Sequence, residues 1–410
     1  MTDEIIEAAF EDQVAFLRSL VANPSDNPPG DCADIAAFTA DRLRARGLTV
    51  EEHPVPEPFL LAAGMRSVTN LVVRERFGAG GPVIALNAHG DVVPPGEGWT
   101  AEPYGGEIRG DALYGRGAAV SKSDFATYVF ALEALKQNSA GLNGTVELHL
   151  TFDEEAGGFV GPKWLLEQGL SQPDFAISAG FAHAVTTAHN GCLHLEVIVR
   201  GRQAHAAMPE LGIDALEAAT PILAALYRER ERLSKIHSGQ TGIGSPTLTV
   251  GLISGGTNTN VVPERVALRL DRRLIPEEAG ETVEAALTEL TLGAATTDRG
   301  AEVECRRIML AEPLRPVPGS EKLVAAIQAA SQACGGPDLA PTGVPLYTDA
   351  RHYAEAGVPT ICYGAGPASL AEANAHGADE HVRLSDLKLA TRVVARALRD
   401  LLRADRASNG

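Results

Sequence analysis

The chain has 410 residues, and because compact domains usually contain about 100 to 200 residues, two or three domains are expected. Its composition, with 45% apolar and 21% charged residues, is typical of globular proteins and excludes the disordered and fibrous classes. The 53 acidic and 35 basic side chains leave a net charge of −18. This charge would repel phosphate backbones and anionic lipids, so nucleic acid and membranes are poor candidate partners.

The amino terminus and the cysteines favour a cytoplasmic protein. The segment MTDEIIEAAF lacks the basic start and apolar run of a signal peptide, and no apolar stretch approaches the roughly 20 residues that span a bilayer. The cysteines are too few and too scattered for a disulfide framework, and no C-x-x-C pair suggests a structural zinc site. We expect all of them to be buried, reduced thiols: Cys32, Cys192, Cys305, Cys334 and Cys362.

The first third of the chain alternates helical and extended patterns. Apolar residues at helical spacing predict a helix over residues 4–21, a Pro/Gly cluster ends it, and a second helix is predicted over residues 31–46. Short apolar runs follow, of the kind found in buried strands of a mixed or parallel sheet. They are Thr69 to Val73, Val83 to Ala88, Val146 to Phe152 and Phe175 to Ser178.

The pattern changes near Cys192, where LHLEVIVRG alternates like a strand with one solvated face. A helix over 213–235, the strands TLTVGLISGG and ERVALRLDRRL, and a helix over 278–292 follow. A strand, helix, strand, strand, helix, strand order predicts a small open-faced α+β domain. Near Met309 the first pattern returns, with PTICYGAG as one more buried strand.

We therefore predict an α/β fold of two domains. A catalytic domain, residues 1–192 and 308–410, is expected to have a central mixed sheet between helices. An inserted α+β domain, residues 193–307, is expected to interrupt it.

Two polar segments directly follow predicted strands. VIALNAHGDVV places His89 and Asp91 at a strand's carboxyl end, where open α/β sheets usually bind ligands, although such a pair is more often an ordinary core contact. TVELHLTFD is followed by Glu154 and Glu155. Adjacent carboxylates face opposite sides, so one could bind a metal while the other acts as a general base, although acidic pairs in loops are usually solvated.

A third polar segment, ANAHGADEHV, follows the strand PTICYGAG and carries His376 and His381. One of them could be a metal ligand, although a loop histidine more often has neither role. Three such signals in one order are stronger together than any one alone.

With these segments in view, the chain resembles the metallopeptidase and deacylase family that includes acetylornithine deacetylase, succinyl-diaminopimelate desuccinylase, aminoacylase and carboxypeptidase G. The resemblance covers most of the chain and implies a zinc-peptidase-like catalytic domain with an inserted lid and dimerisation domain. The segments that carry it are HGDVVPPGEGWTAEPYGGEIRGDALYGRGA, TFDEEAGG, AHNG, RGRQAHAAMPELGIDAL, GGTNTNVVPERVALRLDRRLIP, YTDAR and AHGADEHV.

The resemblance implies a divalent-metal site in the catalytic domain. His89, Glu155 and His376 fall on metal ligands of the family, and Asp91 falls on the carboxylate that orients His89. Glu154 falls on the general base that deprotonates the attacking water. Zinc is the expected metal, with cobalt or manganese as alternatives.

The resemblance also implies roles in the inserted domain. His205 falls on a histidine that crosses to the other subunit of a homodimer and stabilises the oxyanion. Asn260 and Arg273 fall where the family binds a substrate carboxylate, a task suited to a bidentate guanidinium. The implied partners are a small amide or peptide substrate and a second copy of the chain.

Two carboxylates of the family's two-metal centre are missing from this sequence. The aspartate that bridges the two ions is replaced by Val120, and the other carboxylate position falls on Ala179 or Gly180. Without a bridging anion, two nearby dications would repel strongly, so an ordinary di-zinc centre is not expected.

Three arrangements stay open at this point. A single ion could be held by the three remaining ligands and water, a displaced site could be completed by Asp124, Ser121 or His183, or no metal could bind. For Asp124 we expect an exposed first-turn carboxylate favoured by the helix dipole. For His183 and His189 we expect surface or hinge positions.

The leading functional hypothesis is a hydrolase that cleaves an amide bond next to a carboxylate, with an atypical or single-metal site. One alternative is a catalytically inactive relative that binds a small amide or amino-acid ligand. Another is a metal-independent enzyme whose substrate supplies its own activation.

Overall fold

The computed structural model describes residues 1–295, 300–369 and 371–403. These form two compact units. The first contains Met1–Thr187, Pro316–Thr342 and the described residues from Thr348 onward, and the second contains Ala188–Arg315 and Gly343–Tyr347.

Most of an eight-stranded mixed sheet lies in the first unit. Its strands are β1 (Val50–Pro54), β2 (Thr69–Phe77), β3 (Val83–His89), β6 (Gly144–Thr151), β7 (Phe175–Ser178), β8 (Val185–His189), β13 (Pro341–Val344) and β14 (Thr360–Cys362). Only the last residues of β8 and β13 are assigned to the second unit. Their spatial order is β1-β2-β6-β3-β7-β14-β8-β13. A three-stranded sheet, β15-β5-β4, consists of β4 (Glu107–Arg109), β5 (Ala112–Tyr114) and β15 (His381–Arg383).

The central strands β6, β3, β7 and β14 run parallel to their neighbours in this order, while β1, β2 and β8 pair antiparallel. Parallel strands are covered on both faces and therefore appear as continuous apolar runs. In β3 every residue after Val83 is buried. This arrangement confirms the predicted fold class of a central mixed sheet between helices.

Helices cover this sheet. They are α1 (Thr2–Val21), α2 (Ala33–Ala45), α3 (Glu57–Ala63), α4 (Lys122–Gln137), α5 (Pro162–Glu167), α8 (Ser320–Ala333), α9 (Ala350–Glu355) and α10 (Leu384–Leu401). Helix α4 packs against β3, β6, α1 and α10, so all but one of the residues Lys122 to Leu135 are buried. Its amino-terminal turn consequently lies inside the unit.

The second unit is an antiparallel sheet with two helices. Its strands are β9 (Gly191–Arg200), β10 (Thr247–Gly255), β11 (Arg265–Leu274) and β12 (Glu302–Ala311), in the order β10-β11-β9-β12. The helices α6 (Ala215–Leu233) and α7 (Gly280–Ala294) pack on the face formed by Leu195, Val197 and their neighbours. The element order is the predicted one.

The opposite face of β9 differs from the sequence-based expectation of a solvated surface. Glu196 on this face is only 5% exposed. It pairs with Arg269 of β11 at 3.2 Å and with Arg306 of β12 at 2.5 Å, and these long side chains cover it. The alternation of apolar and polar residues along β9 cannot reveal that Glu196 is buried, because the arginines that cover it belong to neighbouring strands.

All five cysteines are free thiols, as expected, but only Cys32, Cys192 and Cys362 are fully buried, while Cys305 and Cys334 are partly exposed. Among the described residues, no helix combines the length and the apolar character needed to cross a membrane.

Candidate active site

Two adjacent strand ends bring the first candidate residues together. Strands β3 and β6 are parallel, and His89 at the end of β3 is the register partner of Thr151 at the end of β6. The chain after β6 turns at once into a short 3-10 helix, Glu154–Ala156. The histidine and the acidic pair therefore share the carboxyl edge of the sheet, where α/β folds place ligands.

The carboxylate of Asp91 organises this edge. Its Oδ1 accepts the backbone N–H of Glu154 at 3.2 Å, and its Oδ2 accepts the N–H of Glu155 at 3.1 Å. Oδ2 also accepts the side-chain amide of Asn27 at 2.9 Å. Nδ1 of His89 lies 3.0 Å from the carbonyl oxygen of Asp91 and 3.3 Å from its Oδ1. A proton on Nδ1 would satisfy both acceptors and leave Nε2 as a metal-binding lone pair.

The candidate ligand atoms converge at two places that share Glu155. One atom each from His89, Glu154 and Glu155 lie within 4.8 Å of one another, and Nε2 of His89 is 3.9 Å from Oε2 of Glu154. Nε2 of His376 lies 3.3 Å from Oε1 of Glu155. His376 is the more accessible member, with 51% of its side chain exposed.

The proximity of these groups shifts their pKa values. Burial alone lowers the pKa of His89, but the hydrogen bond to Asp91 and the charges of Glu154 and Glu155 raise it well above the usual value. Burial, with the nearby charge of Glu155, raises the pKa of Glu154 to about 8. The carboxylate of Glu155, 3.3 Å away, raises the pKa of His376. The raised pKa makes the carboxylate of Glu154 a stronger base than an ordinary carboxylate, which suits a group that accepts a proton.

A buried ion pair holds the loop that carries His376. Arg116 and Glu380 form a salt bridge in which each side chain is 1% exposed. Nη2 of Arg116 donates to the carbonyl oxygen of His376 at 3.2 Å, and His376 itself has a positive φ of 62°. Oε1 of Glu380 accepts the backbone N–H groups of Ala119 at 3.0 Å and Val120 at 3.2 Å. The pair thus connects the Val120 segment to the predicted ligand.

The positions of the two missing carboxylates offer no replacement ligand. Val120 and Ala179 have aliphatic side chains. At Gly180 a Cβ atom would lie 2.7 Å from the backbone nitrogen of Tyr363, so this position leaves no room for a side chain.

The expected exposed position of Asp124 is wrong, because its side chain is only 1% exposed. Its Oδ1 accepts the backbone N–H of Ala365 at 2.7 Å, and it also accepts a hydrogen bond from the backbone of Gly180. Burial raises the pKa of Asp124 to about 7. The carboxylate joins backbone segments around the sheet edge, because the amino-terminal turn of α4 is enclosed.

The other residues considered as replacement ligands have protein partners. The hydroxyl of Ser121 donates to the carbonyl oxygen of His89 at 3.0 Å and accepts its N–H at 3.1 Å. Nε2 of His183 lies 3.0 Å from Oδ1 of Asp386 on α10, and its side chain is 35% exposed. His189 is fully buried, so a surface position is excluded. The alternative of a hinge position stays open, because the residue closely follows the boundary between the two units at Thr187 and Ala188.

The donor set fits a divalent cation. Oε1 of Glu155 is a buried acceptor without a hydrogen-bond partner, since its contact with His376 has ion-pair distance but not hydrogen-bond direction. Imidazole nitrogen with carboxylate oxygen suits zinc, cobalt or manganese. A cation between these groups would also satisfy the orphaned oxygen.

In the second unit, His205 and Asn260 lie side by side on exposed segments. The backbone N–H of Ala206 donates to the carbonyl oxygen of Asn260 at 3.0 Å. The N–H of Ala207 donates to Nδ1 of His205 at 3.0 Å. Because Nδ1 is an acceptor here, the neutral ring carries its proton on Nε2 and is a hydrogen-bond donor there.

Arg273 lies on β11 and is held by a carboxylate of its own strand. Its Nε and Nη2 donate to Oδ1 and Oδ2 of Asp271 at 3.0 and 3.1 Å. Oδ2 of Asp271 is also 3.1 Å from Nε2 of His194, and Sγ of Cys192 is 3.3 Å from the same nitrogen. These four side chains form one cluster on the sheet.

Two residues that shape the first site, Asn27 and Glu380, are missing from the residues predicted from the sequence. Glu380 lies in the segment AHGADEHV, which carries part of the family resemblance, and this was the signal that could have identified it. Asn27 lies in the Pro/Gly cluster after α1 and has no such signal.

Comparison with known proteins identifies a family. A model described as Peptidase family M20/M25/M40 matches residues 85–400. The succinyl-diaminopimelate desuccinylase of Gluconacetobacter diazotrophicus is 30% identical over 402 residues, which cover 95% of this chain and 97% of that protein. The protein of the same name from Xanthomonas euvesicatoria is 30% identical over 392 residues, covering 92% of this chain and 96% of its own.

Solved structures share the fold at lower sequence identity. Human carnosine dipeptidase 1 is 17% identical, with a TM-score of 0.75 and 98% of both chains covered. A dipeptidase from Saccharomyces cerevisiae is 14% identical, with a TM-score of 0.77 and 98% of both chains covered.

Proposed function

Because the chain belongs to peptidase family M20/M25/M40, we propose that it hydrolyses the amide bond of a small substrate with a carboxylate beside that bond. The family makes it a metal-dependent amidohydrolase. N-acyl amino acids, N-succinyl compounds among them, and dipeptides are the substrate classes that fit, since the relatives are named as desuccinylases and the structural neighbours as dipeptidases. The observation that carries this proposal is the convergence of His89, Glu154 and Glu155 around the carboxylate of Asp91.

The proposed cofactor is one divalent cation held by His89, Glu155 and His376. Zinc is the first candidate, with cobalt or manganese as alternatives. When bound, such an ion supplies Lewis acidity that polarises an amide carbonyl and acidifies water. Support for one ion comes from Val120, where the chain lacks the carboxylate that would bridge two ions, and from Ala179 or Gly180, where it lacks a ligand of the second ion.

Glu154 is the proposed general base, because its carboxylate is 13% exposed and lies next to the predicted ligands. It would take a proton from the attacking water and pass it to the leaving amine. Asp91 is the proposed orienting residue. Its contacts fix both the ring of His89 and the turn that carries Glu154.

The roles proposed for the second unit come from the resemblance. His205 would donate from Nε2 to the oxyanion, acting across a homodimer. Asn260 and Arg273 would bind the substrate carboxylate. The corresponding domain assignment is an inserted lid and dimerisation domain over residues 193–307, with residues 1–192 and 308–410 as the catalytic domain. The cytoplasm is the proposed location.

The test begins with the metal content of protein purified without added ions. N-acetyl and N-succinyl amino acids and dipeptides are then assayed with and without a chelator. One equivalent of metal and chelator-sensitive turnover would support the proposal. Metal-free protein that binds these amides without turnover would contradict it in favour of an inactive binding protein, and chelator-resistant turnover would indicate metal-independent chemistry.

A further inference from the structure

Asp349 is a buried carboxylate whose hydrogen bonds are missing. It directly precedes α9, yet its side chain makes no capping bond to that helix. The residue is 3% exposed, and neither Oδ1 nor Oδ2 has a hydrogen-bond partner among the described residues. Buried polar atoms almost always have a hydrogen-bond partner. We therefore expect the carboxylate of Asp349 to contact an ion or molecule that is not part of the protein chain.

The carboxylate faces the turn that carries the proposed base and ligand. A Cβ atom added to Gly158 would come within 2.1 Å of Oδ1, so the oxygen packs directly against the backbone that follows the acidic pair. Of the charged groups that act on Asp349, Glu154 is the strongest, followed by His89 and Arg351. Asp349 therefore lies close enough to Glu154 and His89 to interact with their charges.

Protonation would not resolve the missing contacts of Asp349. A carboxylic acid needs an acceptor for its O–H, just as the ionised group needs donors. The surroundings are also rich in like charge, since Asp153 is a further buried neighbour beside Asp91 and Glu154. Buried carboxylates in excess over cations are either protonated or balanced by a bound cation.

We propose that Asp349 is a further carboxylate of the cation site and contributes its charge to the ion held by His89 and Glu155. This inference rests on the metal site of the proposed function. Asp349 would supply negative charge that the chain lacks at Val120 and at Ala179 or Gly180, where the family resemblance predicted carboxylates.

The test compares Asp349→Asn with Asp124→Asn as a matched control. Both parent residues are buried aspartates that feel the charge of His89. They differ in that Asp124 accepts backbone N–H groups, whereas Asp349 has no hydrogen-bond partner. Metal-stripped proteins are titrated with Zn²⁺ or Co²⁺ by calorimetry, and the melting temperature of each stripped protein is recorded.

Asp349→Asn is expected to weaken cation binding about 10- to 100-fold, the range seen when groups supporting a metal site are removed. Its stripped form should melt no lower than the wild type, because the amide removes a buried charge. Asp124→Asn should change the affinity much less, because the carboxylate of Asp124 already accepts backbone N–H groups.

Equal affinity in Asp349→Asn and the wild type would overturn this inference alone, because a water molecule would then satisfy the carboxylate. A loss of affinity accompanied by a lower melting temperature of the stripped form would overturn it in favour of a structural role. If the amide prevents folding, Asp349→Ser is judged by the same criteria. Wild-type protein that binds no cation would instead contradict the proposed function.

Discussion

The backbone N–H of Glu155 donates to Oδ2 of Asp91 across 3.1 Å. A residue at the end of one strand thereby fixes the turn at the end of the next. The same carboxylate lies against Nδ1 of His89, so one side chain sets the orientation of both proposed ligands. Loss of Asp91 should therefore weaken metal binding, because it would disturb the orientation of both proposed ligands.

Asp91→Ala is expected to weaken metal binding about 10- to 100-fold, as removal of ligand-orienting groups does elsewhere. Competition with a chelating dye measures this affinity. The variant should also leave the N–H groups of Glu154 and Glu155 without their acceptor, which would lower thermal stability. Wild-type affinity in this variant would show that Asp91 does not orient the site.

Glu154→Gln should abolish measurable turnover while leaving metal content unchanged. The amide keeps the shape of the side chain but cannot accept the proton, and general-base catalysis contributes about 10²- to 10⁴-fold. Steady-state assays and elemental analysis of the same preparation give both quantities. Normal turnover would refute the base assignment, and loss of the metal would make Glu154 a ligand.

His205→Ala is expected to reduce kcat about 10²- to 10³-fold, the effect of removing one oxyanion donor. The residue is exposed and makes one short contact with its own loop, so folding and metal content should be unaffected. Wild-type kcat in this variant would exclude the oxyanion role, whatever the oligomeric state.

Glu380→Ala should lower the free energy of unfolding of the first unit by about 3 to 5 kcal/mol, because it leaves Arg116 buried without its counter-charge. Urea denaturation measures the change. Glu107→Ala is the matched control, since Glu107 pairs with Arg109 at 2.9 Å where the side chains are 48% and 39% exposed. That exposed pair is expected to contribute much less, because solvent screens the two charges. Equal effects of the two substitutions would contradict this prediction.

His194 should make stability depend on alkaline pH. Its hydrogen bonds to Asp271 and Cys192 raise its pKa to about 9, above the value of about 6.5 of an unfolded chain. The protonated ring therefore stabilises the folded state below about pH 6.5, and this contribution disappears as the pH rises through about 9. His194→Gln should cost about 1 kcal/mol or less at pH 6, since the pair is partly exposed, and nothing at pH 10. Urea midpoints that differ equally at both pH values would exclude this linkage.

Much of the fold was predictable because its signals are local. The buried parallel strands require continuous apolar runs, and the runs at Val83 and Phe175 correspond to β3 and β7. The acidic pair and His89 were predictable as strand-end residues for the same reason. Their proposed catalytic roles stay predictions until the variants above are measured.

Local signals failed where burial depends on distant segments. Asp124 looks like an exposed first-turn acid, yet its partner Ala365 lies 241 positions further along the chain. Glu380 shows no sign in the sequence that it accepts N–H groups beside Val120. Asp349 likewise looks like an ordinary loop acid until its missing partners are counted.

The sequence by itself determined the α/β class, the order of the elements and the candidate strand-end residues, since periodicity and apolar runs are properties of neighbouring residues. Only the tertiary structure decided which carboxylates are buried, which are paired by backbone N–H groups and which remain without a partner. The physical reason is that the solvation and charge of a side chain depend on every segment that packs around it, and most of those segments are remote in the chain.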